Sequence, residues 1–221
     1  MKEVGLILSS NLRSETYFKI ITAIKGIKIS FVLLYGKKSK IIMKQKKIND
    51  FYFFDQKRID NKISKFIISQ KIKNFIISPN FGEILTNKKL LEKKNLIHFH
   101  PGELPYFKGS TTLFYTLMMR KYLTCTGFVL KKTLDSGKIL IKQKFKIPAF
   151  KNEKDIIKFD HYMRSETLKN LIIKKNFFFY SLNNDNLDFF VIHPILRKLS
   201  FDHLTKKLIK KWILKTKQFC W

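Results

Sequence analysis

Five short, nearly unbroken apolar runs limit what this chain can fold into: Val4–Leu8, Ile29–Leu34, Phe51–Phe54, Asn74–Ser78 and Leu96–Phe99. A strand with one wet face alternates apolar and polar residues, whereas an unbroken run predicts a strand buried on both faces. Both faces are covered when parallel strands alternate with helices. The first two runs fit that pattern. Ser9-Ser10-Asn11 supplies a helix start, Tyr17, Ile20, Ile21 and Ile24 recur at helical spacing, and Gly26 supplies the stop. The chain therefore opens as a βαβ unit.

Further along, Lys37–Lys47 reads as a short surface helix, and Asp55 as the cap of a helix through Ile59, Ile63, Phe66 and Ile67. Thr86–Leu91 predicts a short helix, and Thr111–Met119 one that is apolar all round and hence buried. Thr126–Leu130 and Ile139–Phe145 read as strands flanking Asp135-Ser136-Gly137. Beyond them a long helix is expected over Asp155–Lys175, interrupted near Asp160-His161. Short strands follow at Phe177–Tyr180 and Asp188–Ile192, then a basic amphipathic helix at Leu204–Trp212. The fold class expected is α/β: an open, mostly parallel, Rossmann-like sheet with helices on both faces and a small C-terminal α+β extension. No Ser/Gly/Pro-rich linker divides the chain, so residues 1–150 form the expected core and residues 151–221 an extension packed on it.

The formal charge of +29 invites an anionic partner, a nucleic acid or a lipid surface. Composition gives a competing account. Lys far outnumbers Arg, Ala is confined to Ala23 and Ala149, and the lysines are spread along the whole chain. That pattern favours a solvated basic surface over a dedicated polyanion site, so nucleic-acid and membrane contacts are not the favoured reading. Cys125 and Cys220 fit no metal or redox spacing, and no apolar run approaches the roughly 20 residues of a membrane helix. A soluble, cytoplasmic protein is expected.

The chemistry is expected at Asn95–Thr112, NLIHFHPGELPYFKGSTT. Here a short strand delivers His98 and His100 to the same side, two residues apart, and then breaks into a Pro/Gly loop. Clefts of open α/β sheets lie at the carboxyl ends of their strands. The pair has three readings: a metal couple, two core histidines, or a polar catalytic pair with Asp135 as third member. A metal site needs further ligands, and His161, His193 and His203 all lie in the tail, so no metal is expected. A dinucleotide site is disfavoured because Ser9-Ser10-Asn11 lacks the glycines that admit a phosphate. Asn11 and Arg13 remain candidates for an anionic substrate group at the helix start.

Read together, HFHPGELPYFKG and LDSGKIL resemble the motifs of the folate-dependent formyltransferases. That family includes the glycinamide ribonucleotide, methionyl-tRNA and nucleotide-sugar N-formyltransferases. Its pattern is Asn-x-His-Pro, Leu-Pro and Gly, followed by Asp-x-Gly-x-Ile. His100-Pro101, Leu104-Pro105, Gly109 and Asp135-Ser136-Gly137-Lys138-Ile139-Leu140 match it. Phe81-Gly82-Glu83-Ile84-Leu85 resembles the family's loop lining the folate pocket.

The resemblance covers roughly residues 1–150. It implies an enzyme that moves a formyl group from 10-formyltetrahydrofolate to a primary amine. The reaction passes through an oxyanion and needs preorganised donors. The catalytic residues implied are His100, Asp135 and His98: His100 as an oxyanion donor, Asp135 orienting it and helping to take the amine proton. His98 stands where the family has Asn, a departure that changes the donor.

The acceptor implied is a small-molecule amine. Methionyl-tRNA formyltransferases carry a further RNA-binding domain, for which the residues after 150 are too few. Glycinamide ribonucleotide enzymes use a Gly-rich turn that Ser9-Ser10-Asn11 does not match. The hydroxyls of Ser110 and Thr111, with Tyr115, suit an amino sugar, nucleotide-linked in the family. A formyltransferase fold kept only as a binding module is the reading from a different class.

Overall fold

The computed structural model describes residues 3–39, 42, 50–173, 188–189 and 191–202. The strands are β1 (Glu3–Ser9), β2 (Lys28–Tyr35), β3 (Phe51–Phe54), β4 (Asn74–Ser78), β5 (Asn95–His100), β6 (Lys108–Gly109), β7 (Tyr122–Val129), β8 (Ile139–Lys146) and β9 (Asp188–Phe189). Seven of them form one sheet in the order β3-β2-β1-β4-β5-β7-β8, and β6 pairs with β9. The pairs among β1 to β5 are parallel, while β5–β7 and β7–β8 are antiparallel. Strand order reverses at β1, so the crevice at the carboxyl ends of β1 and β4 is a topological switch point, where open α/β sheets bind their ligands.

Helices cover both faces. On one face lie α1 (Leu12–Ala23), α4 (Thr112–Met119) and α5 (Glu153–Ile173), over Leu6, Leu8, Val32, Leu34, Ile76 and Phe99. On the other lie α2 (Asn61–Ser69) and α3 (Lys88–Lys93), over Ile7, Leu33, Phe75, Ile77 and Leu96. Alternate residues of one strand thus enter opposite cores, which explains the unbroken apolar runs. Each such Leu, Ile or Phe contributes about 1.5–3 kcal/mol by leaving water. The open, mostly parallel α/β sheet expected from the sequence is the fold observed.

Several boundaries differ from expectation. The α2 cap is Asp60, not Asp55: Asp60 Oδ1 accepts from the Ile63 amide at 2.8 Å, and Ile59 lies before the helix. The short third helix starts after Asn87, whose Oδ1 accepts from Leu90 N at 3.0 Å. The helix from Glu153 runs unbroken to Ile173. Asp160 does not interrupt it because its carboxylate is spent one turn on, 2.8 Å from Arg164 Nε. β7 starts at Tyr122, earlier than expected, because it pairs along its whole length with β8. The apolar helix α4 buries Leu113, Phe114 and Leu117 but leaves Met119 exposed. Residues 191–193 are not strand, and residues 194–202 are helical. The helix expected at Lys37–Lys47 falls largely outside the described residues, and Phe177–Tyr180, Leu204–Trp212 and His203 lie wholly outside them.

Candidate active site

β5 carries both histidines. Ile97 and Phe99 point into the α1/α5 core and Leu96 into the other. By alternation His98 and His100 share the Leu96 face, at the strand's carboxyl end.

His100 is buried, 4% exposed, and its ring nitrogens face protein acceptors. Nε2 lies 2.7 Å from the Phe107 carbonyl and 3.3 Å from Thr112 Oγ1, while Nδ1 lies 3.4 Å from Asp135 Oδ2. The Thr112 hydroxyl donates to the Pro101 carbonyl at 3.1 Å, so its lone pairs face His100. The loop after β5 wraps this ring. A Cβ on Gly102 would sit 2.6 Å from the Phe107 carbonyl oxygen and 2.7 Å from His100 Nε2, so only glycine fits there. Thr126 on β7 fastens the same loop, donating to the Gly102 carbonyl at 2.7 Å and accepting from Leu104 N at 3.3 Å.

Asp135 reaches the histidines from the loop between β7 and β8. It adopts φ 42°, a left-handed conformation that Asp tolerates better than most residues. Its Oδ2 accepts from the Gly109 amide at 2.7 Å as well as facing His100 Nδ1. Asp135 thus ties the β5 loop to the strand-end histidine. Gly137 makes the turn workable: its φ is +133°, and a Cβ there would lie 2.1 Å from the Val129 carbonyl.

His98 has different surroundings. Its ring packs edge-on against Phe128, centroids 5.9 Å apart. Burial holds its pKa well below the usual histidine value, and Arg164, Arg13 and the neighbouring His100 push the same way, with a hydrogen bond to the Ile77 backbone acting in the opposite sense. His98 is therefore a neutral imidazole at physiological pH.

A cleft of about 80 Å³ lies beside it, lined by Pro79, Glu83, Ile84, Leu85, His98, Leu130, residues 131–134 and Asp135. Its apolar walls with a few polar groups are typical of a small-molecule site. Glu83 builds the wall rather than facing a ligand. Its carboxylate accepts from Tyr35 Oη at 2.6 Å, Ile59 N at 2.7 Å and Asn80 N at 3.0 Å. Burial and this carboxylate push the Tyr35 phenol well up, so it stays a donor. Among the described residues no three His, Cys, Asp or Glu side chains come together as a metal-ligand group.

The residues expected for the site fall into separate places. Glu83, Ile84, Leu85, His98 and Asp135 line the cavity, with His100 directly behind Asp135. Phe81 and Gly82 do not line it, and Phe81 is 82% exposed. Asn11 caps α1, accepting from Ser14 N at 2.9 Å, and Arg13 donates to Ser78 Oγ at 3.1 Å and to the Pro79 carbonyl. Ser110 and Thr111 precede α4, where Thr111 Oγ1 accepts from Ile192 N at 2.8 Å, and Tyr115 packs against the core.

Sequence reasoning missed residues 130–133, which with Leu134 form one wall of the cleft; the signal was their place just before the LDSGKIL motif. It also missed Arg164, whose guanidinium donates to the Phe99 carbonyl from α5. It anticipated no role for Tyr35, and it read the Thr112 hydroxyl with its loop as facing the acceptor, whereas that hydroxyl donates to the Pro101 carbonyl beside His100.

No family model matches the chain, and no curated protein sequence does either. Solved structures do match. A sugar N-formyltransferase from a Shewanella species superposes with a TM-score of 0.63 at 12% identity, over 91% of this chain and 87% of that one. A 4-N formyltransferase from Francisella tularensis gives 0.62 at 17% identity, over 90% and 86%. Phosphoribosylglycinamide formyltransferase from Campylobacter jejuni gives 0.62 at 17% identity, over 78% and 96%. The chain has the fold of these formyltransferases.

Proposed function

We propose that this protein transfers a formyl group from 10-formyltetrahydrofolate to the primary amine of a nucleotide-linked amino sugar, as a cytoplasmic enzyme. One observation carries the reading. The cavity at the carboxyl ends of the parallel strands is walled jointly by Glu83-Ile84-Leu85, His98 and Asp135, which the sequence motifs had grouped. The fold likeness supports it, and so does the amine-formylating activity named for two of the neighbours that overlap most of the chain.

The cleft would take the reactive edge of a folate. Ile84, Leu85, Leu130 and Leu134 offer apolar contact to one edge of a flat ring. Ile84 and Leu85 would hold it, while Phe81 and Gly82 lie on the same loop outside the cleft and Glu83 supports its wall. The bound folate supplies an activated formyl group. His98 and Asp135 border the reacting centre, while His100 fixes Asp135. Asp135 accepts the amine proton, and its Gly109 hydrogen bond keeps the carboxylate oriented. Ser110, Thr111 and Tyr115 would meet the acceptor from the α4 side, and Asn11 and Arg13 its anionic portion from the α1 side.

The test incubates purified protein with 10-formyltetrahydrofolate and a panel of nucleotide-linked amino sugars, with glycinamide ribonucleotide and methionyl-tRNA alongside, following tetrahydrofolate release. Turnover with an amino sugar supports the reading, and turnover with either of the others reassigns the acceptor. Folate binding without turnover on any amine would leave a binding module. Absence of both binding and turnover removes the proposal.

A further inference from the structure

β8 closes one side of the seven-stranded sheet, and among the described residues no further strand pairs with it. The opposite edge, β3, is 4 residues long, whereas β8 runs for 8. A long open edge presents a row of backbone donors and acceptors, a template for another strand. Two hydrogen bonds settle which residues carry that row. Val129 N donates to the Lys138 carbonyl on the β8 side of β7, and Leu130 N to the Leu96 carbonyl on the β5 side. Alternation then turns the backbone groups of Leu123, Cys125 and Gly127 toward their β8 partners Phe145, Gln143 and Ile141. Lys142, Lys144 and Lys146 therefore direct their own N–H and C=O groups outward.

The two faces of this edge differ in chemistry. Lys142, Lys144 and Lys146 are exposed on the face away from α5, and Lys121 joins them from the start of β7. The Lys144 ammonium stands 4.4 Å from the centre of the Tyr122 ring. Glu103 stands among these lysines, and its carboxylate already accepts from Tyr122 Oη at 3.1 Å. On the α5 face Phe145 meets Phe159 and Tyr162, with centroids 6.2 and 6.0 Å away, and Phe150 lies 5.6 Å from Phe159. Tyr162 remains 51% exposed. Lys151 and Lys158 rim the cleft beside these rings. Its one carboxylate, Asp155, is engaged by Lys151 N at 3.1 Å and Lys158 Nζ at 3.6 Å.

We infer that the β8 edge is a docking site for an extended acidic segment of a partner protein, which adds to the sheet as a further strand. This surface is separate from the candidate active site, and the inference does not rest on the formyl-transfer reading. Hydrogen bonds to the outward backbone groups of Lys142, Lys144 and Lys146 supply the hold, and alternate side chains read the two faces. Alternate side chains of the incoming strand recur about every 6.5 Å, matching the spacing of the three lysines. Acidic residues there meet the ammonium groups, while the apolar residues between them cover Phe145 and Tyr162. A second copy of this chain is the wrong occupant. Pairing two β8 strands would set the lysines of one against the lysines of the other, and like charges directly opposite are destabilising.

The test titrates purified protein with an eight-residue synthetic peptide of alternating Glu and Val, matched in length to β8, at about 0.15 M salt. A peptide of alternating Lys and Val and a single-stranded deoxythymidine oligonucleotide run alongside. Amide hydrogen exchange followed by NMR reads the contact. At saturating Glu–Val peptide the amides of Lys142, Lys144 and Lys146 slow by about tenfold or more, while those of Ile141, Gln143 and Phe145, already bonded to β7, change little. Lys144→Gln removes one charge and weakens binding about 1.5- to 5-fold. Lys144→Pro removes that charge and the outward N–H as well, leaves the β7 ladder intact, and abolishes binding. A thermal melt close to the parent's shows that this variant is folded; where it is not, exchange in the parent protein decides alone. Equal binding by folded Lys144→Pro and Lys144→Gln overturns the inference, and so does unchanged exchange at the three lysine amides. Comparable slowing of those amides by the Lys–Val peptide or the oligonucleotide overturns it too, as does a dimer of the protein alone that protects them.

Discussion

The His100–Asp135 pair is the joint of the site, and its strength can be measured. The two groups lie 3.4 Å apart with side chains 5% and 11% exposed. A hydrogen bond between the imidazole and a carboxylate, partly offset by desolvation, gives an expected coupling of about 1–3 kcal/mol. Asp135→Asn isolates the charge. Asn keeps a carbonyl oxygen for the Gly109 amide and tolerates the left-handed backbone at φ 42°. A double-mutant cycle over Asp135→Asn, His100→Gln and the double variant, read by urea or thermal unfolding, gives the coupling directly. Each single variant is expected to lose about 2 kcal/mol, or about 4–8 °C for a chain of this size. The double variant should lose little more than either single one. Losses that add within about 0.5 kcal/mol would refute the pairing and the positioning role built on it.

Other outcomes follow from neighbouring contacts. Gly102→Ala would place a methyl 2.6 Å from a backbone carbonyl and 2.7 Å from His100, costing about 1–3 kcal/mol in calorimetry and displacing the His100 ring. Glu83→Gln turns one acceptor oxygen into a donor against Tyr35, Ile59 or Asn80, so a loss of about 1–3 kcal/mol and weaker folate binding by titration are expected. Burial keeps His98 unprotonated in the folded chain, whereas the unfolded chain binds that proton below about pH 6.5. The unfolded state then holds more protons, so stability falls on acidification by at most about 1.4 kcal/mol per pH unit from this group. His98→Gln should flatten the acid limb of the stability profile below about pH 6.5, and an unchanged limb would contradict the burial argument. Arg164→Met strands Asp160 and the Phe99 carbonyl, and a loss of about 3–5 kcal/mol is expected in unfolding experiments.

Much of the scaffold was legible because its signals are local. Unbroken apolar runs report strands covered on both faces, and Val4–Leu8 and Ile29–Leu34 needed nothing beyond their own residues to be placed. Helix ends were less secure, since Asp55 and Asp60 are equally good caps in isolation. Only the Ile59 amide, drawn off to Glu83 on a distant loop, decides between them. The apparent break at Asp160-His161 vanished for a similar reason: the structure spends Asp160 on Arg164 within the helix.

At the site, the chain by itself determined which residue types meet: two histidines at a strand end, a Pro/Gly loop, and an Asp-Ser-Gly turn that returns to them. Spacing alone put both imidazoles on one side. It could not say which ring would be free, because that depends on groups remote in sequence. Asp135 and Phe107 close around His100, while Arg13, Arg164 and the cavity wall act on His98. Alternation along a strand sets direction, whereas burial, hydrogen-bond satisfaction and charge arise only when separate segments pack together. The tertiary structure therefore decided that His100 is held and His98 faces the cavity.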